Sequence, residues 1–280
     1  MKDLDGKVAV VTGGAGGIGH ALATRFAEAG MKLVLADVDA TALDRAVAGF
    51  TGAGVETIGV PTDVGDRDAV FALAARTVEA FGTAHVVCNN AGVGGGLGPS
   101  WEITDAAWAW TLAVNFQSVV YGIEAFVPLL LEQDDGHIVN TASLAGLTAL
   151  PFMAPYTATK HAVVGLSESL FHELAAKTPH VGVTVLCPAF LRTGLADSAR
   201  HFAGQPDNAV VDDPGAQFMM GVVSNAVAGG GDPLDFATQV VDAVRTGRFM
   251  VVTNENEADA VVRQRGRETA GAPPELPRIT

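Results

Sequence analysis

The chain has 280 residues, 49% of them hydrophobic, which is enough for one large α/β domain with a substantial buried core. Lys and Arg number 17 against 31 Asp and Glu, and the formal net charge of −14 works against binding to nucleic acid or to an anionic membrane. Composition therefore excludes a disordered or fibrous chain and disfavours a nucleic-acid-binding protein.

The cysteines and the N-terminal residues predict a cytoplasmic protein. Cys88 and Cys187 each stand in an apolar run, which favours two reduced structural thiols over a disulfide. Residues 1–6 are polar and lack the apolar core of a signal peptide. Polar residues and glycines interrupt every candidate membrane span, so no membrane segment is expected. No metal site is predicted.

Short apolar runs alternate with longer amphipathic segments from the start of the chain. In chain order the pattern predicts strands over residues 7–12, 32–37, 55–60, 85–89, 136–142, 181–187 and 249–253. It predicts helices over residues 18–29, 40–50, 67–81, 105–131, 155–177 and 234–246. The strands are almost continuously apolar, so both of their faces should be covered by helices. We therefore predict an α/β fold with a doubly wound parallel sheet of the Rossmann type.

The periodicity weakens between residues 188 and 233, where Gly, Pro and Asp become frequent. We interpret this stretch as a long loop or a pair of short helices that forms a substrate-binding lid. Residues 1–253 are then a single catalytic domain, and residues 254–280 are a charged, proline-rich tail.

Apolar side chains in the lid and before Tyr156 have two interpretations. They line a hydrophobic substrate pocket, or they only pack the lid helices together. The residues concerned are Leu144, Leu147, Leu150, Phe152, Phe190, Leu191, Leu195, Phe202, Phe218, Met219, Met220 and Val222. The cations there are few, namely Arg192, Arg200 and His201, so a strongly anionic substrate is not indicated.

A glycine-rich segment, TGGAGGIG at residues 12–19, joins the first predicted strand to the first predicted helix. Glycines allow a tight turn and close approach of the backbone to a pyrophosphate, while the helix N-terminus offers free N–H groups. The segment fits both G-x-G-x-x-G and T-G-x-x-x-G-x-G spacing. It predicts a dinucleotide site that includes Gly13, Gly17, Ile18 and Gly19.

Asp37 closes the second predicted strand, where a carboxylate can accept hydrogen bonds from the adenosine ribose. A 2′-phosphate would meet like charge there, so the sequence favours NAD over NADP. The alternative is that Asp37 only caps the helix that begins near Asp39.

Tyr156 and Lys160 are four residues apart at the start of a predicted helix, so their side chains share one face. A phenol normally titrates near pH 10, and a neighbouring ammonium favours the phenolate. Such a phenol could exchange the proton of an alcohol during hydride transfer. Ser143 follows a predicted strand, at the carboxyl edge where doubly wound sheets bind ligands, and its hydroxyl could hold the substrate oxygen.

Taken together, these motifs resemble the short-chain dehydrogenase/reductase family over about residues 6–253. The family pattern is seen as TGGAGGIG, as NNAG at residues 89–92, and in the order Asp63, Asn115, Ser143, Tyr156 and Lys160. The resemblance implies an oxidoreductase in which Tyr156 is the acid/base and Ser143 orients the substrate oxygen. It implies that Lys160 lowers the pKa of Tyr156 and holds the nicotinamide ribose, and that Asn115 kinks its helix and anchors a water.

The resemblance also implies further contacts with the cofactor. It assigns Asp63 and Val64 to the adenine, Thr193 to the carboxamide, and Asn90, Ala91 and Gly92 to the adenosine end and the sheet interior. One departure is Pro188-Ala189, where the family usually reads Pro-Gly, and it puts the local fit of the nicotinamide in doubt.

Three functions remain open at this point. The first is an NAD-dependent enzyme for a hydrophobic secondary alcohol or ketone, and the second is an NADPH-dependent 3-oxoacyl-carrier reductase. The third is a non-catalytic NAD-sensing protein. The apolar far side of the Tyr156 helix predicts a homodimer or homotetramer (Ala162, Val163, Leu166, Leu170, Phe171 and Leu174). Trp101, Trp108 and Trp110 are interpreted as core or interface residues.

Overall fold

The computed structural model describes residues 1–195, 198, 213–253 and 255–274. Within them, seven parallel strands form one sheet in the order β3-β2-β1-β4-β5-β6-β7. The strands are β1 (Val8–Thr12), β2 (Lys32–Asp37), β3 (Thr57–Pro61), β4 (Val86–Asn89), β5 (Gly136–Thr141), β6 (Val181–Cys187) and β7 (Met250–Val252). The chain runs outward from β1 to β3 and then returns to β4 on the other side of β1. This reversal opens a crevice at the carboxyl ends of β1 and β4.

Helices connect the strands and cover both faces of the sheet. They are α1 (Gly17–Glu28), α2 (Ala40–Gly52), α3 (Arg67–Phe81), α4 (Asp105–Leu112), α5 (Ser118–Glu132), α6 (Ala154–Ala175), α7 (Pro214–Ala228), α8 (Pro233–Thr246) and α9 (Glu255–Thr269). The predicted doubly wound parallel sheet is confirmed, and the described chain forms a single Rossmann-type domain.

The continuously apolar strands follow from burial on both faces. In β1, Ala9 and Val11 pack into one core cluster, whereas Val8 and Val10 point to the opposite cluster. Phe26 and Phe236 fill the first cluster, and Phe126 belongs to the second. Successive side chains of a strand point to opposite faces, so a strand with helices on both sides needs an apolar residue at every position.

The long helix predicted over residues 105–131 is interrupted by a π-helical turn at Ala113–Gln117, between α4 and α5. Together with this turn, the helical run Asp105–Glu132 is long and apolar enough to cross a membrane by length and composition, with a mean hydropathy of 1.4 over an 18-residue window. The expectation that no stretch reaches this length is therefore wrong. Its apolar side chains pack against α3, β4 and β5, because a core helix must also be apolar on its buried side.

Two segments near the C-terminus are more regular than their sequence indicates. The lid interval contains the 15-residue helix α7, and the predicted tail contains the 15-residue helix α9. Val261 of α9 is buried, and the Arg265 guanidinium donates to the Leu147 carbonyl (3.2 Å) and lies 2.8 Å from His161 Nε2. These long-range contacts keep α9 against the start of α6. Arg200, His201 and Phe202 of the predicted lid lie outside the described residues.

The apolar face of α6 is largely used within its own domain. Val163, Leu170 and Leu174 are buried in the core, and Phe171 packs edge-on against Phe249. The assignment of these residues to a free far side of the helix, available to a partner subunit, is therefore corrected. An oligomer remains a prediction for this chain.

Candidate active site

The main cleft lies at the carboxyl ends of the central strands and has a volume of about 410 Å³. The loops that follow β1 to β6 line it, with residues near position 190 and with α7. The cleft brings together most predicted site residues, which are Gly13, Gly17, Ile18, Asp37, Asp63, Val64, Asn90, Ala91, Gly92, Ser143, Tyr156, Lys160 and Thr193. Gly19 and Asn115 lie behind this surface.

The glycine loop after β1 has almost no room for a side chain at Gly13 or Gly19. A Cβ on Gly19 would lie 2.0 Å from the Gly13 carbonyl oxygen. Gly13 has a φ of +64°, and a Cβ there would lie 3.1 Å from the Ala91 Cα. The bare backbone and the N-terminus of α1 therefore form a cradle that fits a pyrophosphate.

Polar contacts fix this loop to the loop after β4. The Thr12 hydroxyl accepts from the backbone N–H of Asn90 (2.9 Å) and of Ala91 (3.1 Å), and it donates to the Cys88 carbonyl. The Asn90 side-chain amide donates back to the Thr12 carbonyl (2.9 Å). Asn90 therefore joins the loop after β4 to the carboxyl end of β1. The role of Thr12 as an anchor was missed, although it opens the recognised glycine motif.

Asp37 lies at the end of β2 with its carboxylate directed to the glycine loop. One of its oxygens accepts from Ala15 N (3.1 Å) and the other from Asp39 N (3.1 Å). The N-cap of α2 is Asp39, whose carboxylate accepts from Ala42 N (2.9 Å), so the helix-cap interpretation of Asp37 is wrong. Among the described residues that line the cleft, Lys160 is the single lysine or arginine.

Residues after β3 and β4 form the wall beyond Asp37. Val64 is buried, and the exposed Asp63 accepts from Gly65 N through its side chain (2.9 Å). A Cβ on Gly92 would lie 3.4 Å from both Asn115 Oδ1 and Lys160 Nζ, so this glycine borders both side chains. Across the cleft, the Thr193 side chain lies 3.3 Å from the Cβ position of Gly17.

Ser143, Tyr156 and Lys160 come together at the inner end of the cleft. Tyr156 and Lys160 are one turn apart on α6, and Lys160 Nζ lies 5.6 Å from the centroid of the phenol ring. The ammonium donates to the Thr141 carbonyl at the end of β5 (2.9 Å). Ser143 lies two residues after the end of β5, and its hydroxyl accepts from Ala145 N (3.1 Å) and hydrogen-bonds Tyr156. Sequence spacing found these three residues but missed Thr141, which acts through its backbone.

Burial controls the ionisation of both groups on α6. It raises the pKa of the Tyr156 phenol, and the hydrogen bond with Ser143 partly opposes this shift. Burial also lowers the pKa of Lys160 to about 8, while the nearby Cys187 thiol acts in the other direction. The expected lowering of the Tyr156 pKa is therefore not found, because removal from water outweighs the stabilisation of the phenolate.

Asn115 lies inside the π-helical turn and is 1% exposed. Its side-chain oxygen accepts from Val93 N (2.8 Å), and its amide donates to the Val93 carbonyl (2.9 Å) and to Thr159 Oγ1 (3.3 Å). The Thr159 hydroxyl in turn donates to the Tyr156 carbonyl (2.8 Å). Asn115 therefore joins the loop after β4 to the first turn of α6.

Trp110 differs from its interpretation as a core or interface residue, because it lines the cleft. Trp101 is 84% exposed in the single chain, so it is not a core residue, and its place in an interface stays a prediction. Trp108 is half-buried on α4. Their spacing in the sequence carries no signal for the cleft, because Trp110 packs against Val64 and Val93, which are remote from it along the chain.

The fold and the cleft define an oxidoreductase of the Rossmann type. The chain matches the short chain dehydrogenase family over residues 7–203, and it belongs to the short-chain dehydrogenase/reductase family. A short-chain dehydrogenase/reductase from Burkholderia phymatum, solved in complex with NAD, is 41% identical, with a TM-score of 0.92 and 99% coverage of both chains.

Two curated relatives are similar over most of the chain. The CLA biosynthesis dehydrogenase/reductase of Lactiplantibacillus plantarum is 32% identical over 98% of this chain and 97% of its own length. The 3beta-hydroxysteroid dehydrogenase 2 of Eggerthella lenta is 36% identical over 71% of this chain and 76% of its own length.

Proposed function

We propose that this protein is an NAD-dependent dehydrogenase or ketoreductase that interconverts a hydrophobic secondary alcohol and its ketone. The observation that carries the proposal is the meeting of Ser143, Tyr156 and Lys160 in one cleft with the glycine loop. A cleft with a buried, hydrogen-bonded phenol beside a cation provides both a nucleotide cradle and a group that can move a proton.

The side chains of the cleft supply the proton chemistry. When bound, the nicotinamide accepts or delivers the hydride at the substrate carbon. In the oxidation direction, the Ser143 hydroxyl donates to the substrate oxygen and holds it beside Tyr156. The Tyr156 phenolate accepts the proton of the alcohol at Oη as the carbonyl forms, and in reduction the phenol returns it. The Lys160 ammonium stabilises the phenolate, so the two groups favour each other's charged forms.

Asp37 supports NAD as the cofactor. Its carboxylate lies at the edge of the glycine loop, where it can accept from ribose hydroxyls and would repel a 2′-phosphate. The described cleft also offers no arginine to bind such a phosphate. The similar protein from Burkholderia phymatum, which was solved with NAD, agrees with this choice.

The walls around Tyr156 support an apolar, uncharged substrate. The phenol packs in a cluster of aliphatic and thioether side chains, which are Leu97, Ala145, Leu150, Met153, Leu195 and Val223. A carrier-bound substrate with its phosphate would find no cation here other than Lys160 among the described lining residues. This observation disfavours the 3-oxoacyl-carrier alternative.

The test compares the wild-type protein with Tyr156→Phe on a panel of steroid, alicyclic and aliphatic secondary alcohols, with NAD or NADP. We expect the wild type to reduce NAD in preference to NADP, and the variant to lose about 10²–10⁴-fold in kcat. Binding of NADH, measured by fluorescence titration, should be retained in the variant. A wild-type protein that binds NADH but turns over no alcohol or ketone would instead support the NAD-sensing alternative.

A further inference from the structure

Trp110 has an unusual position for a large aromatic side chain. It is half-buried on α4 and lines the cleft. It also packs against the apolar cluster that contains Val64, Val93 and Val114. These three valines belong to different parts of the chain, so the indole lies where the loops after β3 and β4 meet the helix.

The contact with Val64 places this part of the cleft beside the loop after β3, and β3 lies next to β2 in the sheet. Asp37, on β2, marks the place proposed for the adenosine ribose, and Asp63 and Val64 continue the wall after β3. The side chain of Val38 also lines the cleft there, although it is 54% exposed. An apolar side chain exposed in a concave wall gains from a flat apolar ligand laid against it.

We propose that the Trp110 indole packs against the adenine ring of the bound dinucleotide and is a main determinant of its affinity. This inference rests on the proposed nucleotide function of the cleft. Adenine is flat and has few hydrogen-bonding groups, and an aromatic face binds it through stacking and removal of apolar surface from water. Trp110 and Val114 are four residues apart, so one side of the helix presents both to the cleft.

The other two tryptophans provide matched controls. Trp108 lies on the same helix and is also half-buried, but it is not part of the cleft wall, and Trp101 is exposed. The chain has three tryptophans in all. The double variant W101F/W108F therefore keeps Trp110 as its single indole, and W110F keeps the other two.

The first measurement is tryptophan fluorescence during titration with ADP-ribose, which has the adenine but lacks the nicotinamide. W101F/W108F should show quenching that follows binding, because adenine contacts the remaining indole. W110F should bind ADP-ribose with little or no quenching. Binding by W101F/W108F without a fluorescence change would overturn the proposal.

The second measurement is the Kd of ADP-ribose by calorimetry. A cooperative thermal unfolding transition first shows that each variant is folded. Trp110→Ala should raise the Kd about tenfold, whereas Trp110→Phe should change it about threefold or less. Trp108→Ala should match the wild type. Equal Kd values for the wild type and Trp110→Ala would overturn the inference and leave the proposed reaction intact.

The two proposals fail in different ways. One possible outcome is that W101F/W108F shows quenching and Trp110→Ala binds ADP-ribose more weakly, while the wild-type protein oxidises no alcohol. This outcome would support the adenine contact and contradict the proposed reaction. A folded wild-type protein that does not bind ADP-ribose would contradict both.

Discussion

At the scale of single residues, the cleft holds two groups whose charged forms are both opposed by burial. Tyr156 is 7% exposed and Lys160 is 3% exposed, and neither has a carboxylate among the causes of its pKa shift. The Ser143 hydroxyl and the Thr141 carbonyl are their polar partners. Burial therefore sets the direction of both pKa shifts, upward for the phenol and downward for the ammonium.

Asp37 gives a prediction at this scale. Asp37→Ala removes the acceptor for the ribose hydroxyls and the negative charge that opposes a 2′-phosphate. We expect KM for NAD to rise about tenfold or more, since a hydrogen bond to a charged group contributes about 1.5–3 kcal/mol. The ratio of kcat/KM for NADP to that for NAD should rise. Asp44→Ala removes a charge from an exposed position of α2, and an equal change in that control would contradict the assignment.

At the scale of elements, the turn from β1 to α1 depends on Gly19 far more than on Gly16. Gly19→Ala would bring a Cβ to 2.0 Å from the Gly13 oxygen, whereas a Cβ on Gly16 meets nothing within 4 Å. We expect Gly19→Ala to lose about 1–3 kcal/mol in unfolding free energy through overpacking. The matched variant Gly16→Ala, whose φ of −159° suits any residue, should unfold like the wild type. Urea denaturation measures both, and equal midpoints would contradict the argument.

The attachment of α9 to the body of the domain depends on Arg265. Its guanidinium contacts the Leu147 carbonyl and the His161 ring, which both belong to the body of the domain. Arg265→Ala should speed hydrogen exchange in α9 about fivefold, the equivalent of about 1 kcal/mol for a lost hydrogen bond.

Arg263→Ala is the control for this experiment. Arg263 is on the same helix, and its recorded ion pair, 3.9 Å to Asp259, stays within α9. Its removal should leave the exchange rates nearly unchanged, because a loose exposed pair contributes little. Equal acceleration by both variants would show that Arg265 has no special role in attaching the helix.

At the scale of the whole molecule, the buried lysine predicts how stability depends on pH. The pKa of Lys160 is about 8 in the folded protein against an ordinary value of 10.5. Between these values the unfolded chain binds the proton and the folded chain does not, so this group makes stability rise with pH. Below pH 8 both states are charged, and the cost of burying the ammonium is present in full.

Lys160→Met tests this linkage. The unfolding free energy of the wild type minus that of the variant should rise between pH 8 and 10, with a slope of at most about 1.4 kcal/mol per pH unit. The buried Cys88 thiol, whose pKa is raised by burial, acts in the opposite sense in both proteins, and the difference removes its effect. Lys177→Met, an exposed control beyond the end of α6, should run parallel to the wild type.

The sequence by itself determined the sheet and the order of its helices, and most of the site residues that it predicted line the cleft. Apolar runs such as Val8–Thr12 are unambiguous because a strand buried on both faces tolerates few polar residues. The glycine motif and the Tyr156–Lys160 pair are local, so spacing alone reveals them. Helix α9 gave a weak signal, because its stability depends on a few contacts with distant residues.

Only the tertiary structure determined the orientation and burial of side chains whose neighbours are distant in the chain. It separated Asp37, which faces the glycine loop, from Asp39, which caps α2, and it turned Trp110 into the cleft. It also decided that the pKa of Tyr156 is raised and that of Lys160 lowered. The physical reason is that orientation and burial arise from packing between remote segments, and a linear pattern does not encode which groups are removed from water together.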